Sequence, residues 1–372
     1  MAEPIGLTIA QAQAILDGYH GDRDNSAPVA SLAHLDYGYS PGTTTYLIRL
    51  KPSSAPAAST HLLVLSHPPK SEEFSPDPSP SYEPNTLDAQ HRLLSQLHSD
   101  PSIPPLPFPK PLSLSTSPTD AIPYHYLLLS LPSSSQSLTP LSIARQKGLL
   151  SEQQKLALDL RLGAHLKQLH AVENDWFGPP ALESDALFSW QEAFTLMLEE
   201  VLTEAETLAR GGNLGLELEL PADDIRTALS RGIGGFIFDD VEVPSFVWVS
   251  GSEDDVLLDI PSDPGEADAN AQDRDVHIAA FLHAPHALWG DPLLERLLRH
   301  PKPSAAMWEG YGGDPVVFGK QETKMLWYDL YEALVTLVRA ARVGAREEEE
   351  RVRWAKVAVE RSVAALKEAR NY

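Results

Sequence analysis

The stretch that decides the fold is Ala287-Leu-Trp-Gly-Asp-Pro292, near the start of the last quarter of the chain. Two shorter stretches belong with it: Leu169-His170, which ends a predicted helix, and Phe177-Gly178. That helix begins at Ser151, and Gln154 follows three residues later as in a capping box. Its residues at core spacing are Leu156, Leu160, Gly163, Leu166 and Leu169. Amphipathic periodicity predicts further long helices over Ser189–Arg210, Leu326–Arg342 and Glu348–Ala369. The C-terminal part is therefore expected to be mainly helical.

The N-terminal part has a different pattern, in which short apolar runs alternate with turn residues. A short helix is predicted to open it, and a second helix follows over Leu87–Leu97. The stretch Pro68–Pro84 is crowded with proline, serine and acidic residues, and we expect a mobile loop there. Strands are predicted at Tyr46–Leu50, His61–Ser66 and Tyr124–Leu131. Strands followed by helices give an α+β order, with a natural break at Pro132.

Composition limits the kinds of partner. The chain has 372 residues, more than one hydrophobic core usually holds, which suits two lobes. Its 52 acidic and 29 basic residues give a formal charge of −23, which repels phosphate backbones and anionic lipids. We therefore expect no nucleic-acid partner and no membrane partner.

Cysteine usage and the N-terminus bear on location. The sequence contains no cysteine, which excludes disulfides, thiolate metal sites and a cysteine nucleophile. The first residues do not form a basic region followed by an apolar core, and no apolar run approaches the length of a membrane span. The expected location is the cytoplasm.

Taken together, four stretches resemble the aminoglycoside phosphotransferase family, whose members transfer the γ-phosphate of a nucleotide to small molecules. They are Ala287–Pro292, Leu162–His170, Trp176–Gly178 and the glycine-containing hairpin Gly38–Tyr46. The resemblance implies an α+β, bilobal, protein-kinase-like fold. Its small β-rich N-terminal lobe would be residues 1–132, including the mobile loop at about 68–84, and its larger, mainly helical C-terminal lobe residues 133–372.

The residues that the resemblance assigns to phosphate binding are replaced here. Ser66 stands where the family has a cation that contacts the nucleotide phosphates. Gln90 stands where a glutamate should orient that cation. Because the two family residues exist to form one salt bridge, losing both is more telling than losing either.

The family's catalytic and metal-binding residues are replaced as well. Within 246–260, which matches the catalytic loop, Trp248 falls on the family's histidine, Ser250 on its catalytic aspartate and Asp255 on its metal-binding asparagine. Within 276–292, which matches the metal loop, His283 falls on the second metal-binding aspartate. Serine cannot accept a proton at neutral pH without its own base, and neutral imidazole is a poor magnesium ligand. We therefore expect no cofactor and no metal, with ATP and magnesium binding weak or absent.

The groups that remain leave two chemical alternatives. His277, His283 and His286 lie close in sequence and, with nearby carboxylates, would suit zinc or manganese, although solvated surface histidines are the commoner explanation. His283 and Asp255 acting as acid and base form the preferred catalytic pair, because both map to the floor of the interlobe cleft. Trp248 and Ser250 are expected to line the same cleft.

Three functions are compatible with these residues. In the preferred one, the cleft binds a small organic molecule and acts on it without a nucleotide, as a lyase, cyclase or isomerase. The alternatives are a pseudokinase with a protein partner, and a phosphotransferase that uses Glu253, Asp254 and Asp255 as unorthodox ligands. The stretches Trp308–Gly313 and Leu326–Leu330 also resemble divergent family members common in filamentous fungi, which accompany small-molecule pathways of specialised metabolism.

Overall fold

An antiparallel sheet organises the N-terminal part of the chain, for which we use a computed structural model. The described residues are 5–21, 27–35, 43–51, 60–68, 82, 84–131, 138–211, 220–249, 252–260, 276–282, 284–300, 302–315, 318–343 and 349–369. The five strands are β1 (Val29–His34), β2 (Thr43–Leu50), β3 (Thr60–Ser66), β4 (Lys110–Ser115) and β5 (His125–Ser130). Their order in the sheet is β1-β2-β3-β5-β4, with antiparallel neighbours throughout.

Both faces of this sheet are covered, by α1 (Ile9–His20) and α2 (Leu87–Ser99). Successive residues of the central strand β3 face opposite sides of the sheet. Because both sides are covered, β3 is apolar at successive positions. Leu63 and Leu65 pack in the cluster that contains residues of α1, whereas Leu62 and Val64 pack in the cluster that contains residues of α2. The run of leucines predicted as a strand is thus buried on both faces.

The chain leaves the sheet after Ser130 and continues into a mainly helical part. The break predicted at Pro132 lies outside the described residues, so the lobe boundary stays a prediction. The strands of this part are β6 (Leu138–Pro140), β7 (Ser245–Val247), β8 (Val256–Asp259), β9 (His277–Phe281) and β10 (Leu288–Gly290). Its helices are α3 (Leu141–Gln146), α4 (Glu152–His170), α5 (Trp190–Arg210), α6 (Ala222–Gly234), α7 (Ala305–Tyr311), α8 (Gly319–Val343) and α9 (Glu349–Glu368).

Helix α4 begins at the predicted capping box, in which Ser151 Oγ accepts from Gln154 N at 3.2 Å and Gln154 Oε1 accepts from Ser151 N at 2.9 Å. Its buried face agrees with the predicted one at Gly163, Leu166 and Leu169. It differs at Leu156 and Leu160, which are 56% and 41% exposed, while Leu158 and Leu162 are buried instead. The direction of the face is set by α7, which packs closely against α4.

Helices α5, α8 and α9 contribute to a second core. Trp190, Phe194 and Tyr328 are fully buried there, and the Phe194 ring meets the Tyr328 ring edge to face at 5.1 Å. Among the described residues, no helix is long and apolar enough to cross a membrane.

The sheet and the helical part share one continuous hydrophobic cluster. Phe108, in the connection from α2 to β4, contributes much of this contact, since its ring meets Phe246, Trp248 and Phe281 at centroid distances between 5.3 and 6.3 Å. A backbone hydrogen bond adds to this contact, since Phe281 N donates to Pro107 O at 2.6 Å. This junction positions the stretches in which the functional residues were predicted.

Candidate functional site

Strand pairing brings the two predicted functional stretches together. Strand β7 pairs with β10, placing Phe246 opposite Trp289, and β8 pairs with β9, placing Val256 opposite Phe281. The end of β7 therefore lies beside the start of β10, and the start of β8 beside the end of β9. In the sequence analysis this proximity depended on the resemblance; here it follows from hydrogen-bonded register.

Trp248 was expected to line the cleft, and this expectation is wrong. Its side chain is fully buried and packs against Phe281 at 4.9 Å and Phe108 at 5.4 Å. A large aromatic ring gains more free energy from leaving water than from facing a solvated cleft. The position that matches the family's histidine therefore belongs to the core.

Asp255 does lie at the site, and its carboxylate also holds the local backbone. It accepts from Ser252 N at 3.2 Å and from Ser252 Oγ at 3.3 Å, closing a capping box over the short 3-10 turn Glu253–Asp255. The Asp255 carbonyl oxygen accepts from Leu282 N at 2.8 Å, which ties this turn to the end of β9. Its proposed partner His283 lies outside the described residues, as does Ser250, so the acid–base pair stays a prediction.

The two positions matched to the family's phosphate-binding salt bridge, Ser66 and Gln90, lie in the N-terminal sheet and in α2. Ser66 ends β3 between Thr43 and His125 of the neighbouring strands, and it is half-buried. Gln90 is fully buried in α2, and its Nε2 donates to Asn85 O at 2.9 Å, across the start of its own helix. The Gln90 side chain thus stabilises the N-terminal end of α2.

The two described histidines of the predicted cluster, His277 and His286, do not share one environment, and His283 lies outside the described residues. His277 is half-exposed and lies 3.7 Å from Asp259, its partner across β8 and β9, so the surface interpretation holds for it. His286 is 7% exposed, and its Nδ1 lies 2.5 Å from Tyr82 Oη, so the surface interpretation is wrong there. Among the described residues, no group of three or more histidine, aspartate or glutamate side chains is arranged to hold a metal ion.

A pocket of about 110 Å³ opens between the Glu253–Asp255 turn and α8. Its acidic and basic side chains come from four parts of the fold: the turn, the loop before β10, the 3-10 segment Arg296–Leu298 and α8. Sequence reasoning identified Asp254 and Asp255 but missed the contribution of α8. The charged and titratable lining residues are Asp254, Asp255, His286, Arg296, Glu332 and Arg339.

The acidic turn is also held by side chains of α3. Ser142 Oγ donates to Asp254 Oδ1 at 2.5 Å, and Arg145 Nε lies 3.2 Å from Glu253 Oε1. Burial raises the pKa of Glu253, while the charge of Arg145 opposes this shift. All three carboxylates proposed as unorthodox ligands are thus already engaged by protein groups, since Ser252 donates to Asp255.

Glu295 is a functional candidate that sequence reasoning missed. It is fully buried, and its Oε2 accepts from Trp248 N at 2.9 Å, so it holds the start of the catalytic-loop equivalent. His170 Nε2 lies 3.9 Å from the same oxygen. Burial raises the pKa of Glu295, and the charge of His170 and the hydrogen bond from Trp248 N oppose the rise.

Comparisons with known proteins bear on the fold. No protein-family model matches the sequence, and no curated protein matches it. A solved structure described as a candidate fructosamine-3-kinase from Haemophilus somnus 129PT is similar, with a TM-score of 0.55, 13% identity, and coverage of 95% of this chain and 96% of the other. A second candidate fructosamine-3-kinase, from Thermobifida fusca YX-ER1, gives 0.53 and 15% over 95% of this chain and 100% of the other.

These similarities define the class of fold. The chain has a bilobal kinase-like fold, with an antiparallel N-terminal sheet and a larger helical C-terminal part, as the sequence predicted. At such low identity the similarity establishes the fold alone, and it assigns no substrate or activity to this chain.

Proposed function

We propose that this protein is a kinase-like fold that has lost phosphate transfer and binds a small organic molecule in the pocket between the Glu253–Asp255 turn and α8. The supporting observation is the structural role of the residues that stand at the positions matched to the family's functional residues. Trp248 is core, Gln90 stabilises its own helix, and Asp255 closes a capping box, while a charged pocket lies beside Asp255.

The chemistry of phosphate transfer explains why these substitutions matter. A transferring phosphoryl group needs positioned cations to neutralise its developing charge, and a carboxylate to accept or orient the attacking hydroxyl. Ser66, Trp248 and Ser250 provide neither. The phosphotransferase alternative is further weakened because Arg145 and Ser142 engage Glu253 and Asp254.

The pocket offers groups suited to binding. It is smaller than the roughly 300–1,000 Å³ typical of sites for drug-sized ligands, so a small ligand fits it better than a nucleotide. Asp255 lines this pocket. We therefore propose that Asp255 and His283 would transform a bound molecule by acid–base chemistry.

Thermal unfolding of the full chain tests the proposal, because a ligand that binds only the folded state raises the midpoint. ATP with magnesium should leave the midpoint unchanged, and a library of small anions, cations, zwitterions and neutral molecules should contain at least one stabiliser. Calorimetric titration giving a micromolar, magnesium-dependent ATP affinity would overturn the loss of phosphate transfer. If no molecule in the library raises the unfolding midpoint, and a protein partner binds the purified chain to saturation, the pseudokinase alternative would be favoured.

A further inference from the structure

A buried carboxyl group joins two stretches of chain that both reach the pocket. Glu295 is fully buried, and its Oε2 accepts a hydrogen bond from Trp248 N at 2.9 Å. Val249, the residue after Trp248, lines the pocket, and so does Arg296, the residue after Glu295. The charge of this carboxyl group therefore bears on how the pocket wall is held.

The arginines that follow Glu295 in the chain are committed to other carboxylates. Arg296 pairs with Glu332, and Arg299 pairs with Asp329 and Glu332. Among the described residues, Glu295 Oε1 has no hydrogen-bond partner. A buried carboxylate is costly unless a cation and hydrogen bonds offset its charge, so Glu295 requires a partner from elsewhere in the fold.

The basic side chain that faces Glu295 is His170 of α4. Its Nε2 lies 3.9 Å from Glu295 Oε2, and within the described part of the chain this nitrogen has no hydrogen-bond partner. His170 is 7% exposed and Glu295 is 0% exposed, so water screens neither group. The imidazole is therefore the group that the fold offers to this carboxyl group.

Tyr311 of α7 allows the imidazole to change its charge in place. His170 Nδ1 lies 2.9 Å from Tyr311 Oη. A phenolic hydroxyl can donate to a neutral imidazole or accept from an imidazolium, and only its hydrogen has to rotate. Burial raises the pKa of Tyr311, and the charges of Asp291 and Glu295 raise it further, so the hydroxyl keeps its proton.

Asp291 is a second buried carboxylate close to these groups, and it has its own cation. Its Oδ2 lies 2.7 Å from Lys324 Nζ and accepts a hydrogen bond from Tyr328 Oη, also at 2.7 Å. The charge of Asp291 is therefore met by Lys324. This pairing leaves His170 to Glu295.

From this geometry we propose that His170 and Glu295 hold one proton between them at neutral pH and form a pH-sensitive contact next to the pocket wall. One shared proton leaves the buried pair without net charge, whichever of the two groups carries it. Two groups this close titrate as a unit. The inference goes beyond the proposed function, and it requires no ligand.

The unfolded chain differs in the number of bound protons. Above about pH 6.5, an unfolded glutamate is ionised and an unfolded histidine is mostly neutral, so the two hold no shared proton. The folded state then binds one proton more, and the free energy of unfolding falls as the pH rises. Over the range in which only the folded pair keeps its proton, the folding equilibrium constant falls about tenfold per pH unit.

Urea unfolding of the full chain between pH 7 and pH 9 measures this fall, and Glu295→Gln is the informative variant. The amide of glutamine keeps an acceptor for Trp248 N but carries no charge, so it needs no shared proton. We expect the fall in stability over this pH range to disappear in Glu295→Gln. Glu309→Gln, at an exposed position of α7, is the matched control and should keep the full pH dependence.

Nuclear magnetic resonance of the unchanged, isotope-labelled protein observes the proton directly. Nitrogen-15 signals report the charge of the His170 ring, and carbon-13 signals report the charge of the Glu295 carboxyl group. At pH 7 we expect an imidazolium with an ionised carboxylate, or a neutral imidazole with a protonated carboxyl group. Raising the pH should then remove one proton from the pair.

Two results would overturn the inference. One is a neutral His170 ring beside an ionised Glu295 carboxylate at pH 7. The other is a folded Glu295→Gln protein whose stability depends on pH as that of the unchanged protein does. If Glu295→Gln does not fold, the spectra of the unchanged protein decide. The small-molecule function is tested separately by the ligand library, so failure of the inference and failure of that function are distinguishable.

Discussion

The Tyr82 ring lies parallel to the His286 ring, with an interplanar angle of 8° and centroids 5.8 Å apart, and Tyr82 Oη is 2.5 Å from His286 Nδ1. Tyr82 belongs to the stretch 68–84 that the sequence predicts to be a mobile loop, most of which lies outside the described residues. Tyr82 itself is 9% exposed and anchored, since Arg342 donates to its carbonyl oxygen at 2.6 Å. A residue preceding α2 is thereby fixed to the helical part beside the pocket.

Removing the Tyr82 hydroxyl should therefore destabilise the protein. Tyr82→Phe keeps the stacked ring but takes away the hydrogen bond to a buried imidazole, and we expect a loss of about 1 kcal/mol in the free energy of unfolding. Urea unfolding followed by tryptophan fluorescence measures it. Tyr19→Phe, at a position 40% exposed, is the control and should change little. A Tyr82→Phe midpoint equal to that of the unchanged protein would count against the importance of this contact.

Lys324 should be among the most sensitive positions. It is 2% exposed, and its Nζ lies 2.7 Å from Asp291 and 3.0 Å from Asp240. Lys324→Met would leave the buried Asp291 without its cation, which typically costs about 3–5 kcal/mol. The matched substitution Lys147→Met, at an exposed position, should stay within about 0.5 kcal/mol. Comparable midpoints for the two variants in urea would contradict this expectation.

The stability of the N-terminal sheet should fall in mild acid because of His61. Burial lowers the pKa of His61, and the nearby His20 lowers it further, so the folded state disfavours the protonated ring. The unfolded state then binds more protons below about pH 6.5, and the free energy of unfolding decreases as the pH falls through that range.

His61→Leu should reduce this pH dependence between pH 7.5 and 5.5, as measured by urea unfolding at each pH. Some slope will remain, because burial also lowers the pKa of His165. His67→Gln replaces an exposed histidine after the same strand and should leave the slope as it is. An unchanged slope in His61→Leu would assign the acid sensitivity to other groups.

The crossing of α4 and α7 depends on two glycines. A Cβ on Gly310 would lie 2.0 Å from Leu160 O, and a Cβ on Gly163 would lie 2.1 Å from Met307 O, so the backbones themselves would have to separate. We expect Gly310→Ala to destabilise the protein by about 2–4 kcal/mol through this overlap.

Gly234→Ala is the matched control for that substitution. Gly234 ends α6, and a Cβ there meets nothing within 4 Å. Alanine should stabilise this position by about 0.5–1 kcal/mol, because it restricts the unfolded chain without a clash. Thermal midpoints of the two variants should therefore shift in opposite directions, and a shared direction would refute the close-contact argument.

Local patterns predicted much of the fold correctly. The capping box at Ser151 is present, and the apolar run in β3 forms a strand with both faces buried. These features are encoded within a few neighbouring residues, so no knowledge of distant contacts is needed. The face of α4 was mispredicted in part because Leu156 and Leu160 fit a helical period as well as Leu158 and Leu162 do.

The candidate site was less predictable, because burial depends on residues that are distant in the chain. Alignment placed Trp248 in a cleft, but Phe108 and Phe281 enclose it. The sequence predicted His286 to be a surface histidine, but in the fold the Tyr82 ring stacks on it. The pocket residues on α8 gave no separate signal, since their spacing is that of any helix.

By itself, the sequence predicted the long helices from short-range periodicity, and the motifs that resemble the aminoglycoside phosphotransferase family predicted the kinase-like fold class. The replacement of the residues that phosphate transfer requires stays a prediction. Only the tertiary structure decided which of the matched positions are core, which hold the backbone and which face a pocket. The physical reason is that desolvation and charge pairing act between side chains that chain folding alone brings together, as Arg339 of α8 and Asp255 of the 3-10 turn are brought to one pocket.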